Sequence, residues 1–263
     1  NPVSADQGVL RNSLVPQMVE SLGRNLSRQV LDAAFFETGK AYFKDASGKI
    51  CEEERLCIGL MGKTAREALD TKRAVVPEEM FLWVKGILEA LGQALHVDVS
   101  FSGAGKECLE EGWAASVSVN GTACGILGLV REPLRRRWRM MEPVAVAEIA
   151  VRPLLTAVFR VPSARAIPAF PPVTRDVALI LNRGVRHEDV IRVMRKHAPP
   201  ELTDIRLFDI FTGKLVGDTR RSLAYSLVYQ AADRTLTDED ANRYHEQIKA
   251  GLRSELGADI REN

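Results

Sequence analysis

Six residues in the last third of the chain have the types and spacing to hold an unpaired base and its phosphate. They are the neighbours Arg175 and Asp176, the neighbours Phe208 and Asp209, and then Ser222 and Tyr225. An arginine offers a planar fork of donors suited to a phosphate or a base edge. An aromatic ring on an open sheet stacks an unpaired base, worth roughly 1–3 kcal/mol. Asp209 and Ser222 supply polar groups beside the rings. Of Phe208, Phe211, Tyr225 and Tyr229, at least two are expected to face the core instead. Thr235 and Thr237 are explained by helix capping alone.

These residues need a sheet to hold them, and residues 173–263 supply one. Thr174–Leu181 alternates, with Val177, Leu179 and Leu181 on one face and Asp176, Ala178 and Ile180 on the other. His187–His197 carries an apolar stripe of Val190, Val193 and Met194. Ile205–Phe211 and Leu223–Tyr229 read as two further strands. Thr237 caps a last helix whose stripe is Ala241, Tyr244, Ile248 and Leu252, with Gly257 as its stop and Ala258–Arg261 as a closing strand. Strand, helix, strand, strand, helix, strand is a split βαβ unit with an open face.

Residues 1–158 form a separate region, joined through 159–172, a linker made extended by Pro162, Pro168, Pro171 and Pro172. Pro16 suits a first helical turn, with Met18, Val19, Leu22 and Leu26 as its stripe. Pro77 opens a longer helix stepping through Phe81, Val84, Leu88, Leu91 and Leu95. Strands are expected at 33–36, 40–43, 55–61, 97–101, 115–119, 122–130 and 144–151, with Asn120-Gly121 as a hairpin turn. Helices grouped to one side of these strands give an α+β region.

This region offers little chemistry. It has no glycine-rich phosphate loop, no Gly-x-Ser-x-Gly elbow and no zinc-like Cys/His spacing. The acidic stretches Glu52-Glu53-Glu54 and Glu110-Glu111 read as solvated loop charges rather than a cation site, and His96 as a surface histidine. Arg131, Arg135, Arg136, Arg137 and Arg139, interrupted by Trp138, could touch a phosphate backbone or form an exposed short helix. Catalytic residues: none; metal ligands: none.

Composition sets outer bounds. The 263 residues are 46% hydrophobic and 27% charged with a net charge of +1, so any affinity for nucleic acid must come from a local patch. No apolar run is long enough for a membrane span. The four cysteines are read as free thiols in a reducing cytosol. The first residue is not Met, and the chain is expected to be a fragment.

The runs FPPVTRDVALIL, LFDIFTGKL, RRSLAYSLVYQ and DRTLTDEDAN, across about 168–261, resemble the ferredoxin-fold anticodon-binding domains that close the beta subunits of bacterial phenylalanine–tRNA ligases. Asn1–Ser4, Val9–Pro16, Asn25, Phe36–Lys40 and Lys85-Gly86 resemble the catalytic-like module of the same family. The resemblance implies a class II synthetase-like antiparallel sheet module that has lost its chemistry, followed by a ferredoxin-like βαββαβ domain. It implies partners: an alpha subunit holding the active site, the tRNA for phenylalanine, and a whole enzyme of two alpha and two beta chains in the cytoplasm. ATP and magnesium would serve the whole enzyme, with no cofactor on this fragment. Glu110–Trp113 and Arg131-Glu132-Pro133 depart from the family's His-Pro-Gly and His-Pro stretches.

Other readings of a ferredoxin-like unit are a small-molecule regulatory module or an assembly module with no RNA role. The first wants glycine-rich strand–helix turns, and only Gly184 is present. A generic RNA-recognition module would want a basic-Gly-aromatic run where the chain has Arg221-Ser222-Leu223-Ala224-Tyr225.

Overall fold

A computed structural model of the chain describes residues 8–45, 47–63, 74–103, 108–157, 168–213 and 216–261. The chain divides into two units, Asn1–Ser163 and Ala164–Asn263. The expected proline-rich linker lies mostly outside the described residues, as do Asn1–Ser4 and Lys214-Leu215 of the motifs above.

In the first unit, α1 (Val15–Leu26) begins with proline in its first turn, where the missing N–H has no intrahelical partner to lose. Two long strands follow, β1 (Ala33–Lys44) and β2 (Ile50–Met61). Next come α2 (Pro77–Leu95), β3 (Val99–Gly103), β4 (Leu109–Val119) and β5 (Thr122–Val130). The unit closes with α3 (Glu132–Arg136), β6 (Val144–Ala150) and α4 (Val151–Ala157). Asn120 and Gly121 both take positive φ, 48° and 79°, which gives the β4–β5 turn the hand that strand twist needs. The strands form one antiparallel sheet in the order β1-β2-β6-β5-β4-β3.

The helices are not grouped on one side of this sheet, as the strand pattern suggested. In β6, Ala145, Ala147 and Ile149 share a core with Met80, Val84 and Leu88 of α2. The alternate residues Val144 and Val146 pack with Leu14, Met18 and Leu22 at α1. Successive strand residues point to opposite faces, so α1 and α2 cover opposite faces. All seven residues of β6 are consequently buried. Two acidic segments read as loop are strand: Glu110-Glu111 belong to β4, which is irregular between Leu109 and Ala114, and Glu52-Glu53-Glu54 belong to β2, paired with Tyr42, Ala41 and Lys40 of β1.

The second unit is β7 (Val173–Asn182), α5 (His187–Lys196), β8 (Leu202–Phe211), β9 (Arg220–Tyr229), α6 (Asp238–Leu256) and β10 (Asp259–Arg261). Its antiparallel sheet has the order β10-β7-β9-β8, the ferredoxin-like arrangement. The Thr237 hydroxyl accepts from the Asp240 N–H at 3.1 Å, and Gly257 ends α6 at φ 60°. Both helices pack on the face carrying Val177, Leu179, Leu181, Leu223, Leu227 and Tyr229.

Among the described residues, no helix is long and apolar enough to cross a membrane. The four cysteines are unbridged.

Candidate nucleic-acid interface

Strand alternation decides what the second unit shows to solvent. With odd-numbered residues of β7 and β9 packed under α5 and α6, the even-numbered ones line the other face. Cross-strand pairing groups them: Asp176 opposite Ser226, Ala178 opposite Ala224, Ile180 opposite Ser222. Apart from buried Ile180, these positions are exposed or half-buried. The centre of the face is therefore floored by alanine and serine, low enough for a planar group to lie against the backbone.

Phe208 stands at the side of that floor. A bulge between Leu207 and Asp209 leaves it without a ladder partner, and a bulge re-aims the side chain it frees. Phe208 is 53% exposed. Phe208, Asp176, Ala178 and Ala224 line a recess of ≈ 420 Å³, with Lys249 and Glu246 from α6 and Arg261 from β10 at its edge. The recess thus combines a ring, a flat floor, acceptors and two cations, of which Lys249 is paired with Glu246 at 2.7 Å. Asp209, opposite Ala224, and Ser222, opposite Phe211, share the same face.

Two of the six expected residues belong elsewhere. Tyr225 is fully buried on the helix side. Its hydroxyl lies 2.9 Å from His187 Nδ1, and the two rings stack with centroids 5.7 Å apart. Burial pushes its phenol up to about 12. It is a core residue with one satisfied polar atom, because its position in β9 has the parity of Leu223 and Leu227. Arg175 likewise has helix-side parity. Its Nε donates to Asn242 Oδ1 at 3.0 Å, Nη2 to Asp238 Oδ1 at 2.5 Å and Nη1 to the Thr174 carbonyl at 3.0 Å. Those bonds commit the fork to clamping β7 onto the first turn of α6. Of the four aromatics weighed, Tyr225 and Tyr229 are core, and Phe208 and Phe211 are exposed.

Sequence reasoning missed Ala178 and Ala224 as parts of the site, although the alternation that places Asp176 and Ser222 carries both. It had no signal for Lys249 or Arg261, which reach the recess only through tertiary packing and the β10–β7 pairing.

The first unit has its own cleft, ≈ 720 Å³, lined by Phe43, Glu53, Arg55, Cys124, Glu148 and Arg152 among others. Glu148, 4% exposed, accepts from the Ser13 hydroxyl at 3.1 Å, the Leu14 N–H and Arg55 Nη1 at 2.9 Å. Arg55 Nε donates to Glu53 at 2.8 Å. These groups tie the start of α1 to β2 and β6. Burial raises the Cys124 thiol, which is the opposite of what a nucleophile needs. The acidic run in β2 is spent on ion pairs, Glu52 with Lys40 and Glu53 with Arg55.

Two protein families match different parts of the chain. Residues 1–151 match the family described as the phenylalanyl tRNA synthetase beta chain CLM domain, and residues 168–261 match the ferredoxin-fold anticodon binding domain. A phenylalanine–tRNA ligase beta subunit of Symbiobacterium thermophilum is 36% identical over 262 residues, 99% of this chain and 29% of that protein. That of Moorella thermoacetica is 34% identical, covering 100% of this chain and 32% of its own length. That of Listeria innocua is 31% identical, covering 99% and 32%. The chain spans about a third of the length of the curated relatives it matches.

Proposed function

We propose a role whose premise is membership: the chain belongs to the phenylalanyl-tRNA synthetase beta chain family. In this reading the second unit holds the anticodon stem-loop of the tRNA for phenylalanine. An unpaired loop base lies on the Ala178–Ala224 floor against Phe208, with Arg261 and Lys249 toward its phosphate. The first unit acts as a scaffold, a class II synthetase-like sheet that packs against an alpha subunit. That subunit performs the ATP- and magnesium-dependent attachment of phenylalanine, in a cytoplasmic enzyme of two alpha and two beta chains.

One observation carries the RNA part of this reading. The antiparallel sheet of the second unit has both helices on one face, and the other face is floored by small residues beside an exposed ring. Single-stranded loops are recognised by splaying bases onto such surfaces. The scaffold part is supported by the cleft of the first unit, where Arg55 and Glu148 satisfy each other and hold α1 rather than facing a substrate.

The test is a titration of labelled anticodon stem-loop RNA into the chain. Phe208→Ala removes the stacking ring, so the dissociation constant should rise about tenfold or more, with the melting temperature unchanged because the ring is exposed. Equal affinity in wild type and variant would refute the assignment of that face.

A further inference from the structure

The first unit carries a feature that the scaffold role leaves unused. Residues 131–142 contain Arg131, Arg135, Arg136, Arg137 and Arg139 against only Glu132 and Glu142. The structure sorts these arginines into different roles. Arg135 is internal wiring: its Nη1 donates to the carbonyls of Met140, at 3.1 Å, and Met141. Arg136 pairs with Glu132. Arg137 and Arg139 are exposed, with no carboxylate in ion-pair range among the described residues.

The knuckle that carries them is built firmly. Trp138 N–H donates to the Arg135 carbonyl at 3.0 Å, Arg139 N–H to that of Arg136 at 2.9 Å, and Met140 N–H to that of Arg135 at 3.2 Å. Trp138 packs so closely on α1 that a Cβ at Gly23 would sit 2.4 Å from its own Cβ. Met140 is buried beneath the turn. With Trp138 and Met140 fixed inward, Arg137 and Arg139 are held outward. Arg139 takes φ 57°. That left-handed conformation strains a residue with a Cβ and would cost glycine nothing.

We propose that the Arg137–Arg139 knuckle is a second RNA-contact site, which grips the sugar–phosphate backbone of a folded RNA independently of the sheet in the second unit. The pair are guanidiniums, whose planar donor forks match phosphate oxygens. Their backbone is already ordered, so little entropy is lost on contact. That the anion is RNA rests on the reading proposed above; the site itself does not.

The experiment measures binding of a full-length tRNA transcript to the whole chain across salt concentrations, for wild type, Arg137→Gln/Arg139→Gln and Arg139→Gly. Each lost phosphate contact removes about 0.9 from the slope of log affinity against log salt, so the double variant should lose about two units of slope and bind about 50-fold more weakly at about 0.1 M salt. Arg139→Gly should lose about one unit while its melting temperature holds or rises, an outcome that a merely structural arginine would not give. Stem-loop binding should be unchanged in both variants. A wild-type slope in the double variant overturns the proposal. So does poly-glutamate that binds as tightly as tRNA at equal charge, since the patch would then serve an acidic protein. If the stem-loop fails to bind wild type while tRNA binding still depends on these arginines, the anticodon reading falls and this one stands.

Discussion

The two sheets of this chain differ in what lies on them. In the first unit, α1 and α2 take opposite faces, and the central strand β6 is buried along its whole length. In the second, α5 and α6 share one face and β9 alternates, its even-numbered positions only half-buried. An antiparallel sheet with one free face can present a broad surface to a partner. A sheet covered on both sides cannot, and leaves its loops, edges and remaining clefts to make contacts. That difference explains why the candidate interface of the second unit is a sheet face, whereas that of the first is a knuckle between α3 and β6.

Glu148 offers the strongest way to break this contrast. It is the charged residue buried within β6, and Arg55 and the start of α1 depend on it. Glu148→Ala leaves Arg55 with Glu53 as its remaining partner and strips the Leu14 N–H of its acceptor, so the loss should be about 2–3 kcal/mol. Calorimetry should show the first unit melting earlier while stem-loop binding by the second persists. Loss of both together would mean that the units do not fold separately.

A smaller effect is expected from His245, buried between α6 and the sheet. Burial and the nearby Lys249 push its imidazole down to about 4, against a hydrogen bond with the Asp176 backbone and the charge of Glu246 that pull upward; Arg175 adds to the lowering. Its Nδ1 has no partner among the described residues. The sign follows from linkage: the unfolded chain takes the proton near pH 6.5 and the folded one only near 4, so folding weakens as pH falls through that window. The loss should reach about 2 kcal/mol, discounting for partial solvation. Urea titrations at about pH 7 and about pH 4.5 should show that His245→Gln removes this part of the pH dependence. A wild-type dependence in the variant would assign it to carboxylates instead.

The mildest test concerns Arg175. As a clamp on the first turn of α6 it should contribute about 1 kcal/mol, because its partner Asp238 is largely exposed. Arg175→Ala should lower the unfolding midpoint slightly and leave RNA affinity untouched. A tenfold loss of affinity at unchanged stability would return Arg175 to the interface.

The same contrast between the sheets governs how much can be read from sequence. Alternation in β7 and β9 shows both the strand and its two faces, which puts Asp176 and Ser222 on the side away from the helices. Tyr225 is misread when residue type outweighs parity, since Leu223 and Leu227 already mark its face as internal. In Arg175 the fork chemistry is legible, but its partners Asp238 and Asn242 lie more than sixty residues away. In β6, burial on both faces removes the alternation, and the pattern cannot say which helix covers which side. Glu148 is visible only as an isolated carboxylate in an apolar run. The knuckle needs coordinates, because neither the clamp by Arg135 nor the left-handed Arg139 leaves a trace in spacing.

The pairing of β10 with β7 has a consequence for timing. Synthesis delivers β7 first and β10 last, with β8, β9 and both helices between them, and domains tend to form as the chain emerges. The edge that brings Arg261 beside Asp176 is therefore the last part of the unit to leave the ribosome. A nascent chain stalled before that point carries an incomplete recess, without the Arg261 cation that lines it.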